Sequence, residues 1–296
     1  MLFPPLHVTA DASTWLWAWH LDPVLVPLLT AAAAGYLVAY RAVSRSGRRV
    51  FPAWRVAAYV TSLAALAVAL LGPPDHFNGI LFWVHMVQHL VLMLVAAPLL
   101  VLGRPVTLLL RSLPPRARRR VMSSTLGYRP LRRVLSSLTH PLAVLVLYNG
   151  SFVVWHLPSL YQAAVIDPLV HEVEHASFFV TALLFWQVLI DPRPWRRRLS
   201  TEAAVLLLFT TWMVSDLLCA TVTLSSELLY PVYASQPKPW GLTPLGDQRL
   251  GGAIMWATGG ILYAVLLLAY LAYPVVRGSR VPYRHARSAS TGERAL

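Results

Sequence analysis

The sequence predicts an all-α integral membrane protein: a bundle of seven transmembrane helices, with the N-terminus outside and the C-terminus in the cytoplasm. Three observations predict it. The composition is 57% hydrophobic and only 12% charged, with a mean hydropathy of +0.57. Soluble domains are about one-quarter charged, and a water-soluble surface cannot hide this much apolar sequence. Several stretches approach the about 20 apolar residues that carry a helix across the hydrocarbon core. Arg and Lys collect in alternate connecting segments, as they do where cytoplasmic loops retain positive charge.

The spans read in order as Pro23 to Arg41, Trp54 to Leu71, Phe77 to Leu102, Leu142 to Trp155, Leu169 to Ile190, Ala203 to Leu224 and Gly251 to Pro274. The fourth is short and lengthens if it begins at His140. Trp15, Trp17 and Trp19 precede the first span and suit an interfacial aromatic belt. Of the 25 basic residues, all but Lys238 and Arg249 fall in the first, third and fifth connections and the tail. A missed or extra helix would scramble that alternation. The third connection carries Pro114, Pro115 and the run Arg118, Arg119, Arg120, and is expected to meet lipid headgroups. The last outer loop, Ser225 to Gly246, is rich in Pro, Tyr and Ser and is expected to cap the helices. Residues 1–275 thus form one membrane domain. Residues 276–296 read as a basic, disordered cytoplasmic tail.

The net charge of +13 and pI near 10.6 do not point to nucleic acid, because the basic residues lie between apolar spans. The single cysteine, Cys219, excludes an intramolecular disulfide and a CxxC metal site. No basic segment precedes the first apolar stretch, so no cleavable signal peptide is expected. No internal repeat supports an inverted-repeat transporter.

Ionisable groups inside spans are costly, which makes them informative. The third span carries His85, Gln88 and His89; the fifth His171, Glu172, Glu174 and His175; the sixth Asp216; the seventh Met255. His76 precedes the third span and His156 ends the fourth. From the helical rise, His85 lies about 12 Å below its outer span end, and His175, Asp216 and Met255 lie about 10 Å below theirs. Four helices therefore place donors in one layer of the outer half of the membrane. Residues four apart share a helix face, so His85 pairs with His89 and His171 with His175. Neutral imidazole suits copper, zinc, iron or nickel, and a thioether favours copper(I). One intramembrane histidine is ordinarily a hydrogen bond to a neighbouring helix; two spaced pairs at matching depth favour a metal.

Two other chemistries share these residues. His171-Glu172-Val173-Glu174-His175 fits H-E-x-x-H, in which both histidines bind zinc and Glu172 acts as general base. Haem ligation could pair a histidine of the third span with one of the fifth, although no helix shows the wide histidine spacing of two-haem bundles.

The segment His85-Met86-Val87-Gln88-His89-Leu90, with Ala97-Pro98 and Gly103-Arg104-Pro105, resembles the seven-helix CtaG-type cytochrome c oxidase assembly factors. So do His140-Pro141, Trp155-His156-Leu157-Pro158, Tyr161, His171, Glu174-His175, Asp247-Gln248, Gly251-Gly252 and Met255-Trp256. The blocks cover about His76 to Tyr273, in order. The resemblance implies a non-enzymatic factor in a bacterial plasma membrane that serves the catalytic subunit of a haem-copper oxidase, by handling copper. The ligand set comes from spacing and donor type. It comprises His85, His89, His171 and His175, with Met255 as a soft ligand. Asp216 and Glu174 would orient the imidazoles, and His156 and His76 would stand at the outer access. A zinc hydrolase and a metal-free assembly scaffold remain the alternatives.

Overall fold

The computed structural model describes residues 17–45, 51–126, 128–190, 199–236, 238 and 241–278. Among them every regular element is helical. Trp15, Arg48, Arg49, the basic residues within 191–198 and the tail from 279 onward lie outside the described residues.

Helix α1 (Leu25–Arg45) begins where Asp22 Oδ1 accepts the amides of Leu25 (2.6 Å) and Val24 (2.8 Å). Those two bonds hold the Asp22 carboxyl below the usual carboxylate range. Helix α2 (Ala53–Leu71) is followed by a short α3 (Pro73–Phe77), which starts on two prolines after Gly72. The chain reverses through Asn78–Leu81 into α4 (Phe82–Leu90). A π-helical turn (Val91–Ala96), α5 (Ala97–Gly103) and α6 (Pro105–Ser112) continue the same span, with Arg104 in the left-handed region at φ 48°. Helices α7 (Pro115–Val121) and α8 (Arg129–Leu138) follow, then α9 (Pro141–Trp155), α10 (Pro158–Ile166), α11 (Pro168–Ile190), α12 (Thr201–Leu224) and α13 (Pro244–Gly278).

Six stretches are long and apolar enough to cross a bilayer; α8 with α9, bent by 63°, makes a seventh if the pair counts as one. Exposed side chains such as Leu217 (72%) and Ile261 (67%) cover these helices with apolar surface, as lipid-facing positions require.

Three sequence expectations change. The third span does not run straight from Phe77: Asn78–Leu81 break it, so His85 lies only about 5 Å below the start of α4 rather than about 12 Å below a span end. The seventh helix begins at Pro244, before Gly251, and continues through Pro274 to Gly278. The third connection is mostly short helices, not loop.

One end of the bundle gathers the starts of α1, α4, α11 and α13 with the ends of α3, α9 and α12. It holds Lys238 and Arg249 but no other Lys or Arg among the described residues. At this arginine-poor end residues 225–236 form a cap, with Tyr230 and Tyr233 buried. Gln248 fixes the cap: its Oε1 accepts the Leu229 amide (2.7 Å) and its Nε2 donates to the Glu227 carbonyl (3.2 Å). Gly251 and Gly252 let α13 close on its neighbours. A Cβ would meet the Phe82 ring at 2.5 Å at the first position and the Thr223 amide at 2.9 Å at the second.

The π-helical turn lies directly below His89. Widening the helix frees carbonyls, and two of them find side-chain donors: Met93 O accepts from Trp186 Nε1 (2.8 Å) and Ala96 O from Ser62 Oγ (2.8 Å). The wide turn is thereby tied to α11 and α2.

Candidate metal centre

Two helices face each other below the cap and supply the centre. The start of α4 is fixed from a distance in sequence. Asp247 on α13 accepts the Phe82 and Trp83 amides, both at 3.0 Å. Lys238 donates to the same carboxylate (2.7 Å) and to the Ile80 carbonyl (2.5 Å). Helix α11 starts at Pro168, with Asp167 accepting the amides of Leu169 and Val170. Both helix starts are thus clamped within two turns of the histidines they carry.

The imidazoles form a box. Ring centroids are 4.4 Å apart for His85–His89 and 4.0 Å for His171–His175 along the two helices. Across the gap they are 5.1 Å for His85–His171 and 5.3 Å for His89–His175. Glu174 points into the same space, with Oε2 3.5 Å from His85 Nε2 and 3.7 Å from His89 Nε2. His85, His89, Glu174 and His175 are all buried. His85 Nε2, both nitrogens of His89, His175 Nε2 and both oxygens of Glu174 have no hydrogen-bond partner. Buried polar atoms without partners are rare in native proteins, and here they converge.

Three ligand groups arise, each with donor atoms within 4.8 Å of one another: His85, His89 and His175; His85, His171 and Glu174; and Asp75, His171 and His175. The donor set is imidazole-rich with one or two carboxylates, which suits a first-row transition metal.

Tyrosines back the box. Tyr233 Oη donates to the Asn78 carbonyl (2.7 Å) and lies 3.0 Å from Tyr161 Oη and 3.1 Å from His85 Nδ1. Tyr161 Oη lies 2.9 Å from the same nitrogen. Either imidazole tautomer satisfies this network. The one that donates from Nδ1 to Tyr161, while Tyr161 donates to Tyr233, turns the Nε2 lone pair into the box, the orientation a metal requires. On the α3 side Gln88 Nε2 donates to Asp75 Oδ1 and to the Ala69 carbonyl, each at 2.8 Å. Asn78 Nδ2 approaches Gln88 Oε1 (3.2 Å), Asp75 Oδ1 (3.4 Å) and His171 Nε2 (3.5 Å).

Of the residues singled out in the sequence, His85, His89, His171, His175 and Glu174 come together. His156 is buried beside them: its Nδ1 lies 2.7 Å from the Phe152 carbonyl, its Nε2 has no hydrogen-bond partner, and the Phe178 ring lies tilted against both it and His89. His76 is half-buried on α3 against Phe77 and joins no ligand group among the described residues. Asp216 also joins none. Helix α12 packs principally on α13 and α9, which places Asp216 beside Gly260 and Trp212, away from the box. Met255 is buried in an apolar cluster with Phe82, Met86, Tyr161 and Cys219. Glu172, the general base of a zinc-hydrolase reading, is exposed, whereas Glu174 is buried in the box.

Sequence reasoning missed Asp75, Asn78 and Tyr233. The cap loop brings in Tyr233. The chain reversal brings in Asp75 and Asn78, and its signal was present: an acid beside Pro73-Pro74, four residues before Gly79, one turn ahead of the histidine helix.

Residues 34–276 match the model of the cytochrome c oxidase caa3 assembly factor family, Caa3_CtaG. The chain belongs to this family. The match spans every helix that builds the box. Among curated proteins, the chain is 29% identical over 279 residues to uncharacterized proteins of Mycobacterium bovis and Mycobacterium tuberculosis, covering 93% of the chain. It is 27% identical over 284 residues to an uncharacterized protein of Mycobacterium leprae. The chain spans 42% of the length of each of these relatives. No solved structure matches.

Proposed function

We propose that the chain is an assembly factor for a haem-copper oxidase that binds copper at the box of His85, His89, His171 and His175 and hands it to the oxidase's catalytic subunit. It does so without catalysing a reaction. The observation that carries this reading is the convergence of buried, unpartnered nitrogens from α4 and α11 on one point. A bound ion would satisfy them; in its absence each costs free energy. Glu174 supplies a negative charge that offsets the ion's own, and Tyr161 with Tyr233 orients His85. The protein is read as a multi-pass protein of the bacterial plasma membrane. The arginine-poor end faces outward, as positive charge retained inside dictates, so copper arrives from outside and leaves sideways to the docked oxidase subunit.

The test is elemental analysis of the purified chain. Wild type is expected to carry copper, and His85→Ala and His175→Ala to lose most of it. Stoichiometric zinc in place of copper would instead favour the hydrolase reading. Unchanged oxidase maturation with Ala at all four histidines would leave a metal-free scaffold and overturn the proposal.

A further inference from the structure

The three ligand groups do not have equal access to the surface. His85, His89 and His175 are all buried, whereas Asp75 and His171 are only half-buried. Asp75 Oδ2 lies 3.7 Å from His20 Nε2, and these side chains are 27% and 44% exposed. Asp75 is also fixed rather than loose. Its Oδ1 accepts from Gln88, the residue immediately before His89 on α4, and Gln88 is itself anchored to the Ala69 carbonyl. The carboxylate is therefore held at the mouth of the box by the helix that forms its floor.

We infer that the box contains two overlapping metal positions: an outer one made by Asp75, His171 and His175, reached past His20, and a buried one made by His85, His89 and His175. The inference rests on the copper-binding reading above. His175 belongs to both groups, so an ion passes inward by exchanging Asp75 and His171 for His85 and His89 while His175 keeps hold of it. No step needs a free, unligated ion in the low-dielectric interior, where bare charge is most costly. The donor types agree with this order. The outer position includes a half-buried carboxylate that accepts a partly hydrated divalent ion, and the inner position offers three imidazoles with the buried Glu174 carboxylate 3.5 Å from His85 and 3.7 Å from His89. The structure thereby assigns access to Asp75 and His20 rather than to His76, which belongs to neither group among the described residues.

The full chain in detergent is mixed with copper(II) chloride. Uptake is followed by rapid quenching with EDTA, and the EDTA-resistant copper is measured. Asp75→Asn keeps an oxygen for Gln88 and removes only the charge; His171→Ala removes the other outer ligand. Each is expected to slow formation of the EDTA-resistant state by about tenfold, and Asp75→Asn to leave the final copper content unchanged. His89→Ala is expected to lose the resistant copper and keep a fraction that EDTA strips. Wild-type uptake rates in either outer variant overturn the two-position inference. So does loss of resistant copper in Asp75→Asn, which would mean one undivided site. Both results leave copper binding itself intact. Resistant copper in His89→Ala equal to wild type also overturns the inference, and none in wild type sinks the copper reading and this inference together.

Discussion

A histidine buried between two helices has one nitrogen for the scaffold and one to spare. His85 follows that division: Nδ1 faces two tyrosine hydroxyls and Nε2 faces the box. His89 departs from it, since neither nitrogen has a hydrogen-bond partner and Glu174 Oε2 lies 3.7 Å from its Nε2. Such a residue is stable only if something else fills the space, and pH gives the check. A protonated imidazole cannot ligate, so protons compete with the metal. Copper affinity is expected to be full above the imidazole range and to fall as pH drops through it. Equilibrium dialysis from about pH 8 to about pH 5 measures this, and a flat profile would exclude histidine ligation. At this scale much was legible. The spacing of His85 with His89 and of His171 with His175 already put each pair on one helix face. Helix rotation was not legible. Asp216 was placed near the right depth but faces α13, because hydropathy says how deep a residue lies and not which neighbour it meets.

Helix α4 has little intrinsic reason to begin at Phe82: Leu81 offers no side-chain cap. The start is imposed by Asp247, which binds two of its free amides and is itself balanced by buried Lys238. Removing one member of a buried ion pair leaves the other charge uncompensated. Asp247→Ala is therefore expected to destabilise the fold by about 3–5 kcal/mol, read as a lowered thermal midpoint in detergent. An unchanged midpoint would show that the ion pair does not position α4. The sequence showed Asp247 and Gln248 only as a motif. Their position in the first turns of α13 was hidden because a run of polar residues ahead of Gly251 looks like loop. A helix can begin in polar sequence when a cap loop, rather than lipid, receives its first turns.

The alternation of arginines is a property of the whole chain, and so is the orientation it implies. Cys219 is fully buried and is the single cysteine, so Cys219→Ala gives a silent background for labelling. In that background, Ser226→Cys on the cap loop is expected to react with a membrane-impermeant maleimide in intact cells. Ser123→Cys, at the arginine-rich end, is expected to react only after lysis. The reverse pattern would invert the bundle and move the box to the cytoplasmic side. Span number was largely readable from hydropathy. The break at Asn78–Leu81 was not, because Phe77, Ile80 and Leu81 keep the stretch apolar across it.

That bend has a consequence for the lipid. Helix α9 has 15 residues and spans about 22 Å, against about 30 Å of hydrocarbon. Its apolar flank, including Leu142, Val146 and Val154, is exposed along this length. Helix α8 turns away at 63° instead of extending the span. On this side the membrane has to thin, or α8 has to sink its own apolar face, with Val134 and Leu138, to make up the difference. The bilayer around this protein is therefore not a slab of even depth. It has one shallow side, and acyl-chain length becomes a variable to which the bundle responds.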